Sequence, residues 1–156
     1  MFGLFKRKAR EVQAPVDGEV VPLEEVDDEV FSQKMVGDGI AIKPIGEFFC
    51  APIDGKISKI FATNHAYSIK GTKDLEVMVH IGLESVALNG AGFKRLVEEG
   101  AHVTAGTPII QVDMSILKEA KSTITPVIIA EGSSVGTLEK KMGIVKQGDT
   151  IMEVHK

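Results

Sequence analysis

The sequence predicts an all-β fold, a sandwich or barrel of short antiparallel strands with short helical turns between them. Apolar runs rich in Val, Ile and Leu recur between Gly, Pro and Asp punctuation, and no stretch holds a helical period long enough for a long helix. A repeat points the same way: Ala14-Pro15-Val16-Asp17-Gly18-Glu19-Val20 and Ala51-Pro52-Ile53-Asp54-Gly55-Lys56-Ile57 share the pattern A-P-[VI]-D-G-x-[VI]. Each copy is a proline entry, a glycine turn and then a strand.

Composition sets the scale. With 156 residues, 44% apolar content, 26% charged and 16 glycines, the chain can bury one core and reads as a single domain over residues 13–156. Aromatics are scarce, so the core rests on Val, Ile, Leu and Ala, which favours strands. A net charge of −4 without a dense basic stripe argues against nucleic acid and for a protein partner. The lone Cys50 excludes an internal disulfide, and the absence of a signal peptide or long apolar run reads as a cytoplasmic protein.

Residues 1–12 read as a flexible basic and apolar segment. Phe2, Leu4 and Phe5 stand beside Lys6, Arg7, Lys8 and Arg10, a combination suited to weak membrane-surface contact through residues 1–10 and equally to a solvated terminus. The acidic run Glu24 to Glu29 reads as a solvated loop or a docking surface for a basic partner. Val36 to Pro44 is a glycine turn feeding a strand; Lys43-Pro44 stands where a phosphate loop needs a helix, so its glycines are structural. Cys50, beside Phe48 and Phe49, reads as an apolar filler.

The stretch from Asn64 to Gly82 reads as a β-hairpin with a histidine on each arm, turning at Gly71-Thr72-Lys73-Asp74. A turn centred between Thr72 and Lys73 makes partner numbers sum to 145, which sets His65 opposite His80 and Tyr67 beside them facing Met78. A slip of one residue would part the histidines. Beyond the hairpin, Gly92 to Gly100 suggests a short helix, Val103 to Gln111 a turn and strand, Met114 to Lys121 a helical turn, Val127 to Ala130 a strand, and Gly143 to Val154 further strands. His102 and His155 lack sequence partners and are expected to be exposed.

Paired imidazoles admit a metal site, an acid/base pair, a nucleophile with a helper, or a purely structural role. A metal needs at least three ligands, and only Glu76 joins the histidines on the expected face, so metal ranks second and none is assigned. No serine or cysteine is spaced for a hydrolase triad. A nucleophilic histidine needs a neutral nitrogen, a fixed tautomer and a donor for the arriving charge. His80 is the attacking candidate, His65 the donor, Thr63 the residue orienting His65, and Gly82 a source of a ring-fixing carbonyl.

The strings Thr63-Asn64-His65-Ala66, Val79-His80-Ile81-Gly82-Leu83-Glu84-Ser85-Val86, Leu88-Asn89-Gly90-Ala91-Gly92-Phe93 and Val36-Gly37-Asp38-Gly39-Ile40 resemble the glucose-type enzyme IIA domains of the bacterial phosphoenolpyruvate:sugar phosphotransferase system, and the likeness runs from about Ala14 to the C-terminus. The resemblance implies an antiparallel β-sandwich of the barrel-sandwich hybrid type. It implies a phosphocarrier needing no cofactor, which takes a phosphoryl group from the histidine-containing phosphocarrier protein HPr and passes it to a cysteine of an enzyme IIB domain, with metabolic or transport proteins as further regulatory partners. On matching positions His80 would be phosphorylated at Nε2, His65 would stabilise the group, Thr63 would position His65 and Gly82 would orient His80. Asp28, Phe31, Val36, Phe61, Met78 and Glu84 would form an apolar, acid-rimmed docking face; aspartate is usual at the Glu84 position and phenylalanine common at Met78. Two rivals stand beside it: a biotinyl or lipoyl carrier domain, with Lys73 in a turn as its modified lysine, and a metal-dependent hydrolase, which would need more ligands.

Overall fold

The computed structural model describes residues 10–130, 133 and 135–155. The membrane-surface reading falls on residues 1–10, so all of it except Arg10 lies outside the described residues. In chain order the strands are β1 (Arg10–Gln13), β2 (Gly18–Pro22), β3 (Gly37–Pro44), β4 (Phe48–Cys50), β5 (Gly55–Ile60), β6 (Ala66–Lys70), β7 (Glu76–His80), β8 (Phe93–Arg95), β9 (His102–Val103), β10 (Pro108–Val112), β11 (Thr125–Ala130), β12 (Thr137–Lys140), β13 (Gly143–Val145) and β14 (Thr150–His155). Two single-turn helices, α1 (Glu29–Ser32) and α2 (Met114–Leu117), join them. Both copies of the repeat deliver their glycine as the first residue of a strand, β2 and β5.

The fold is an antiparallel β-sandwich. Its largest sheet runs β13-β2-β3-β11-β7-β6-β5-β9, and two three-stranded sheets, β4-β10-β8 and β1-β14-β12, pack with it. The main core draws on all three: Ile40, Ile42, Val77, Val79, Val127 and Ile129 from the large sheet, Phe49, Ile109 and Ile110 from the second, and Val12, Ile151 and Val154 from the third. A second cluster covers the other face of the large sheet, where Phe31 of α1 packs with Leu23, Val26, Ala41, Leu83 and Ile128. The centre of the large sheet is thus covered on both sides, which explains why β3 and β11 read as continuous apolar runs. The glycines before Ile40 are structural, as expected: a Cβ at Gly39 would fall onto the Val127 carbonyl of the paired strand. Among the described residues no helix is long and apolar enough to cross a membrane.

Four local expectations fail. Arg10 to Val12, expected in a flexible segment over residues 1–12, pair with β14 as part of strand β1, and Val12 is fully buried. In the hairpin Ala66 pairs with His80, Tyr67 with Val79 and Ser68 with Met78, so partner numbers sum to 146. The cause is the turn. Lys73 and Asp74 both adopt left-handed backbone, at φ 54° and 61°, and Gly71 N–H donates to the Leu75 carbonyl at 2.7 Å, which leaves three loop residues where two were expected. Tyr67 therefore points into the core beside Val79, fully buried, and its hydroxyl donates to the Cys50 carbonyl at 2.6 Å. Gly92 to Gly100 holds strand β8 instead of a helix, because pairing of Ile110 with Arg95 and Val112 with Phe93 wins over local propensity. His102 is exposed, but His155 is half-buried in β14, with Nε2 3.5 Å from Glu139 Oε1.

Candidate functional site

The two histidines meet in spite of the altered register. His80 is the last residue of β7 and, with Met78, projects from the face opposite Val77 and Val79. His65 precedes β6. Its carbonyl accepts from Ile81 N–H at 2.7 Å, but its side chain is freed from strand alternation by the tight turn just before it. In that turn Asn64 N–H donates to the Phe61 carbonyl at 2.7 Å, Phe61 N–H donates to the Ala66 carbonyl at 2.9 Å, and Asn64 sits at φ 59°. The His65 ring swings onto the His80 side, with centroids 5.1 Å apart and planes at 79°.

Each ring has its Nδ1 occupied. The Gly82 carbonyl lies 2.8 Å from His80 Nδ1, and a carbonyl only accepts, so that nitrogen carries the proton and neutral His80 keeps its lone pair on Nε2. The Thr63 hydroxyl lies 2.5 Å from His65 Nδ1. When that hydroxyl donates, His65 carries its proton on Nε2 and is itself a donor. Gly82 is at φ 79°, and a Cβ there would come within 2.9 Å of Leu117 Cδ1 and of the Ser122 carbonyl oxygen. The backbone bend that aims its carbonyl at His80 requires glycine.

Both imidazoles are held neutral. Burial, and then the neighbouring His80, push the His65 pKa down to about 4. His80 is also lowered by burial, against the Gly82 hydrogen bond and the Asp28 charge, which favour its protonated form. A pair of neutral rings with one free lone pair and one potential donor suits attack on an electrophile that brings negative charge.

Apolar surface surrounds the pair. Phe31 tilts against His80 with centroids 5.0 Å apart, and Phe61 meets His65 edge-on at 5.3 Å. Val36 and Met78 pack half-buried against the cluster that holds Phe31. Asp28 caps α1, accepting from Val30 N–H at 2.9 Å, and so sets the helix that presents Phe31. Glu84, at φ 54°, is exposed two residues beyond Gly82. Phe31 is itself buried, so it contributes a wall to His80 and little open surface.

Sequence reasoning missed two supports. Ser85, fully buried, donates to the Ile81 carbonyl at 2.5 Å and fastens the segment beyond His80. Arg95 donates from Nε to Asn64 Oδ1 at 2.9 Å; it lies on β8, and Phe93-Lys94-Arg95 carries no alternation in the sequence that marks a strand. Cys50 is buried with its thiol pushed up to about 11, which fits the filler reading. Glu139, Glu153 and His155 bring ligand atoms within 4.8 Å of one another on the β12–β14 pair, where the sequence had suggested no grouping.

Known proteins match this chain closely. The family model for the phosphoenolpyruvate-dependent sugar phosphotransferase system, EIIA 1, matches residues 10–135. A glucose-specific EIIA component from Haemophilus influenzae is 42% identical over 155 residues, covering 97% of this chain and 93% of the relative. An N-acetylglucosamine-specific EIICBA component from Escherichia coli is 44% identical over 149 residues, covering 94% of this chain but 23% of that longer protein. The solved structure of glucose permease IIA from Mycoplasma capricolum superposes with a TM-score of 0.88 at 41% identity, covering 94% of this chain and 96% of that one.

Proposed function

Because the chain belongs to the EIIA 1 family of the phosphoenolpyruvate-dependent sugar phosphotransferase system, we propose that it is the system's phosphohistidine carrier, with His80 Nε2 as the atom that holds the phosphoryl group. The observation that carries this reading is the His80 Nδ1–H bond to the Gly82 carbonyl, which fixes the nucleophilic tautomer before any partner arrives. The Nε2 lone pair attacks phosphorus of phospho-HPr, the new N–P bond forms, and the old N–P electron pair returns to the donor imidazole. In the second transfer a cysteine thiolate of an enzyme IIB domain attacks the same phosphorus, and the electron pair returns to His80 Nε2.

His65 Nε2–H would donate to a phosphoryl oxygen, with its own Nδ1 satisfied by Thr63. Phe31, Val36, Phe61 and Met78 would exclude water from a hydrolysable N–P bond while partners exchange it, and Asp28 and Glu84 would meet basic side chains at the rim. Fusion of an EIIA portion to EIIB and EIIC in relatives such as the Escherichia coli protein supports an enzyme IIB domain as the receiving partner.

The test is incubation with phosphoenolpyruvate, enzyme I and HPr, followed by measurement of acid-labile, base-stable phosphate. His80→Gln is expected to take up none. His65→Gln is expected to accept phosphate and fail to pass it on. Wild-type labelling of His80→Gln would overturn the assignment.

A further inference from the structure

His65 joins the hairpin through its main chain, its carbonyl accepting from Ile81 N–H at 2.7 Å, but its ring and the Thr63 hydroxyl are aimed by the turn that precedes β6. Something must hold the Phe61–Asn64 turn. That turn bonds internally through the Phe61 carbonyl, and it includes a non-glycine residue, Asn64, in left-handed backbone. Arg95 reaches it from β8, in the neighbouring sheet. Its Nε–H donates to Asn64 Oδ1 at 2.9 Å and an Nη2–H donates to the Phe61 carbonyl at 3.5 Å, so one planar group grips both ends of the turn. Its third contact, Nη1 to Glu98 Oε2 at 3.7 Å, involves a carboxylate whose side chain is 85% exposed and is the weakest of the set.

We propose that Arg95 is a positioning residue for the histidine pair: by clamping the Phe61–Asn64 turn it sets the Thr63–His65 hydrogen bond, and thereby which His65 nitrogen faces His80. A guanidinium suits the task because its donors are fixed in one plane and reach two acceptors together, where an ammonium offers a single point. Asn64 suits it because it tolerates the left-handed conformation and supplies the acceptor. The proposal rests on the phosphocarrier reading for its transfer readout alone; the tautomer of His65 is readable without phosphate.

The experiment uses the full chain with ¹⁵N-labelled histidine and two-bond ¹H–¹⁵N correlation spectra, alongside transfer from the phosphorylated protein to an enzyme IIB domain. Wild-type His65 is expected as one tautomer, protonated on Nε2. Arg95→Lys keeps the charge and loses the fork, and Asn64→Gly keeps the left-handed turn and loses the acceptor. Each is expected to give mixed His65 tautomers, to leave the His80 tautomer unchanged, and to slow onward transfer roughly tenfold. Because the Arg95–Asn64 bond that Asn64→Gly removes is already lost in Arg95→Lys, the double variant should be no slower than the worse single variant. A single, wild-type His65 tautomer in Asn64→Gly would overturn the proposal, as would additive effects in the double variant. Should Arg95→Lys fail to fold, the Asn64→Gly spectra decide the matter alone. A wild-type protein that takes up no phosphate would sink the carrier reading, while the tautomer comparison would still judge Arg95.

Discussion

The two histidines are held by different kinds of structure. His80 ends a strand in the middle of an eight-stranded sheet, its neighbours Val77 and Val79 fully buried and its partner strands β6 and β11 bonded on either side. His65 shares one backbone bond with Ile81, but its ring hangs on a turn whose geometry comes from Asn64, a backbone bond at Phe61 and a side chain from another sheet. The first is placed by many pairings that must all break to move it, and the second by a few contacts that can be removed one at a time. On the proposed roles, a fixed nucleophile and an adjustable donor would be a useful division, since the donor would have to serve the site both with and without a bound anionic group.

That contrast is broken most severely from the His80 side. Gly82→Ala forces a Cβ into left-handed backbone and against the Ser122 carbonyl, so a loss of about 2–4 kcal/mol in unfolding free energy is expected. The carbonyl that fixes the His80 tautomer would shift with it. Denaturant unfolding reads the first effect, and phosphoryl uptake at temperatures where the variant is folded reads the second. Wild-type stability together with wild-type uptake would show that neither the bend nor the carbonyl matters.

The His65 side is tested more gently by pH. A histidine whose folded pKa lies near 4 is neutral in the fold but takes up a proton on unfolding at any pH between about 4 and its ordinary 6.5. The unfolded state then binds more protons, so the contribution to stability is fully present above pH 6.5 and is lost as pH falls towards 4. Carboxylates titrate in the lower part of that window, so the informative quantity is the difference between two proteins. The midpoint temperature of wild type should fall more steeply from pH 6.5 to 4 than that of His65→Gln. Parallel curves would mean that His65 is not held neutral by its surroundings.

The same division decides what could be read in the sequence. Strands announced by repeats and apolar runs were legible: Gly18 and Gly55 open β2 and β5 as the pattern implied, and the β11 and β14 segments fell where β-branched residues cluster. The meeting of His65 with His80 was legible for a reason that did not survive. Strand pairing summing to 145 was to bring them together, whereas the ladder sums to 146 and a turn undoes the slip for one side chain. Periodicity describes residues inside a ladder and is silent about residues just outside it. Arg95 was hidden for a related cause: Gly92 to Gly100 carries helix-like local signals, and only the distant pairing with β10 makes Phe93–Arg95 a strand. The Glu139, Glu153 and His155 grouping likewise depends on β12 lying against β14, a pairing between segments that no turn motif links.

The smallest expected effect falls on the turn that moved the register. Lys73 is exposed and holds φ 54°, a conformation that costs a side-chain-bearing residue about 1 kcal/mol and glycine almost nothing. Against that gain stands the greater freedom glycine gives the unfolded chain, so Lys73→Gly should raise stability by about 0–1 kcal/mol. Were Lys73 at negative φ, as at the second central position of a type II′ turn, glycine there would destabilise. The sign of the change in denaturant midpoint therefore reports on the left-handed backbone at Lys73. Because the turn lies at the far end of the hairpin from Ala66 and His80, phosphoryl uptake should be unaltered; a change there would mean that the register, and with it His80, is less firmly set by β6 and β11 than the pairing implies.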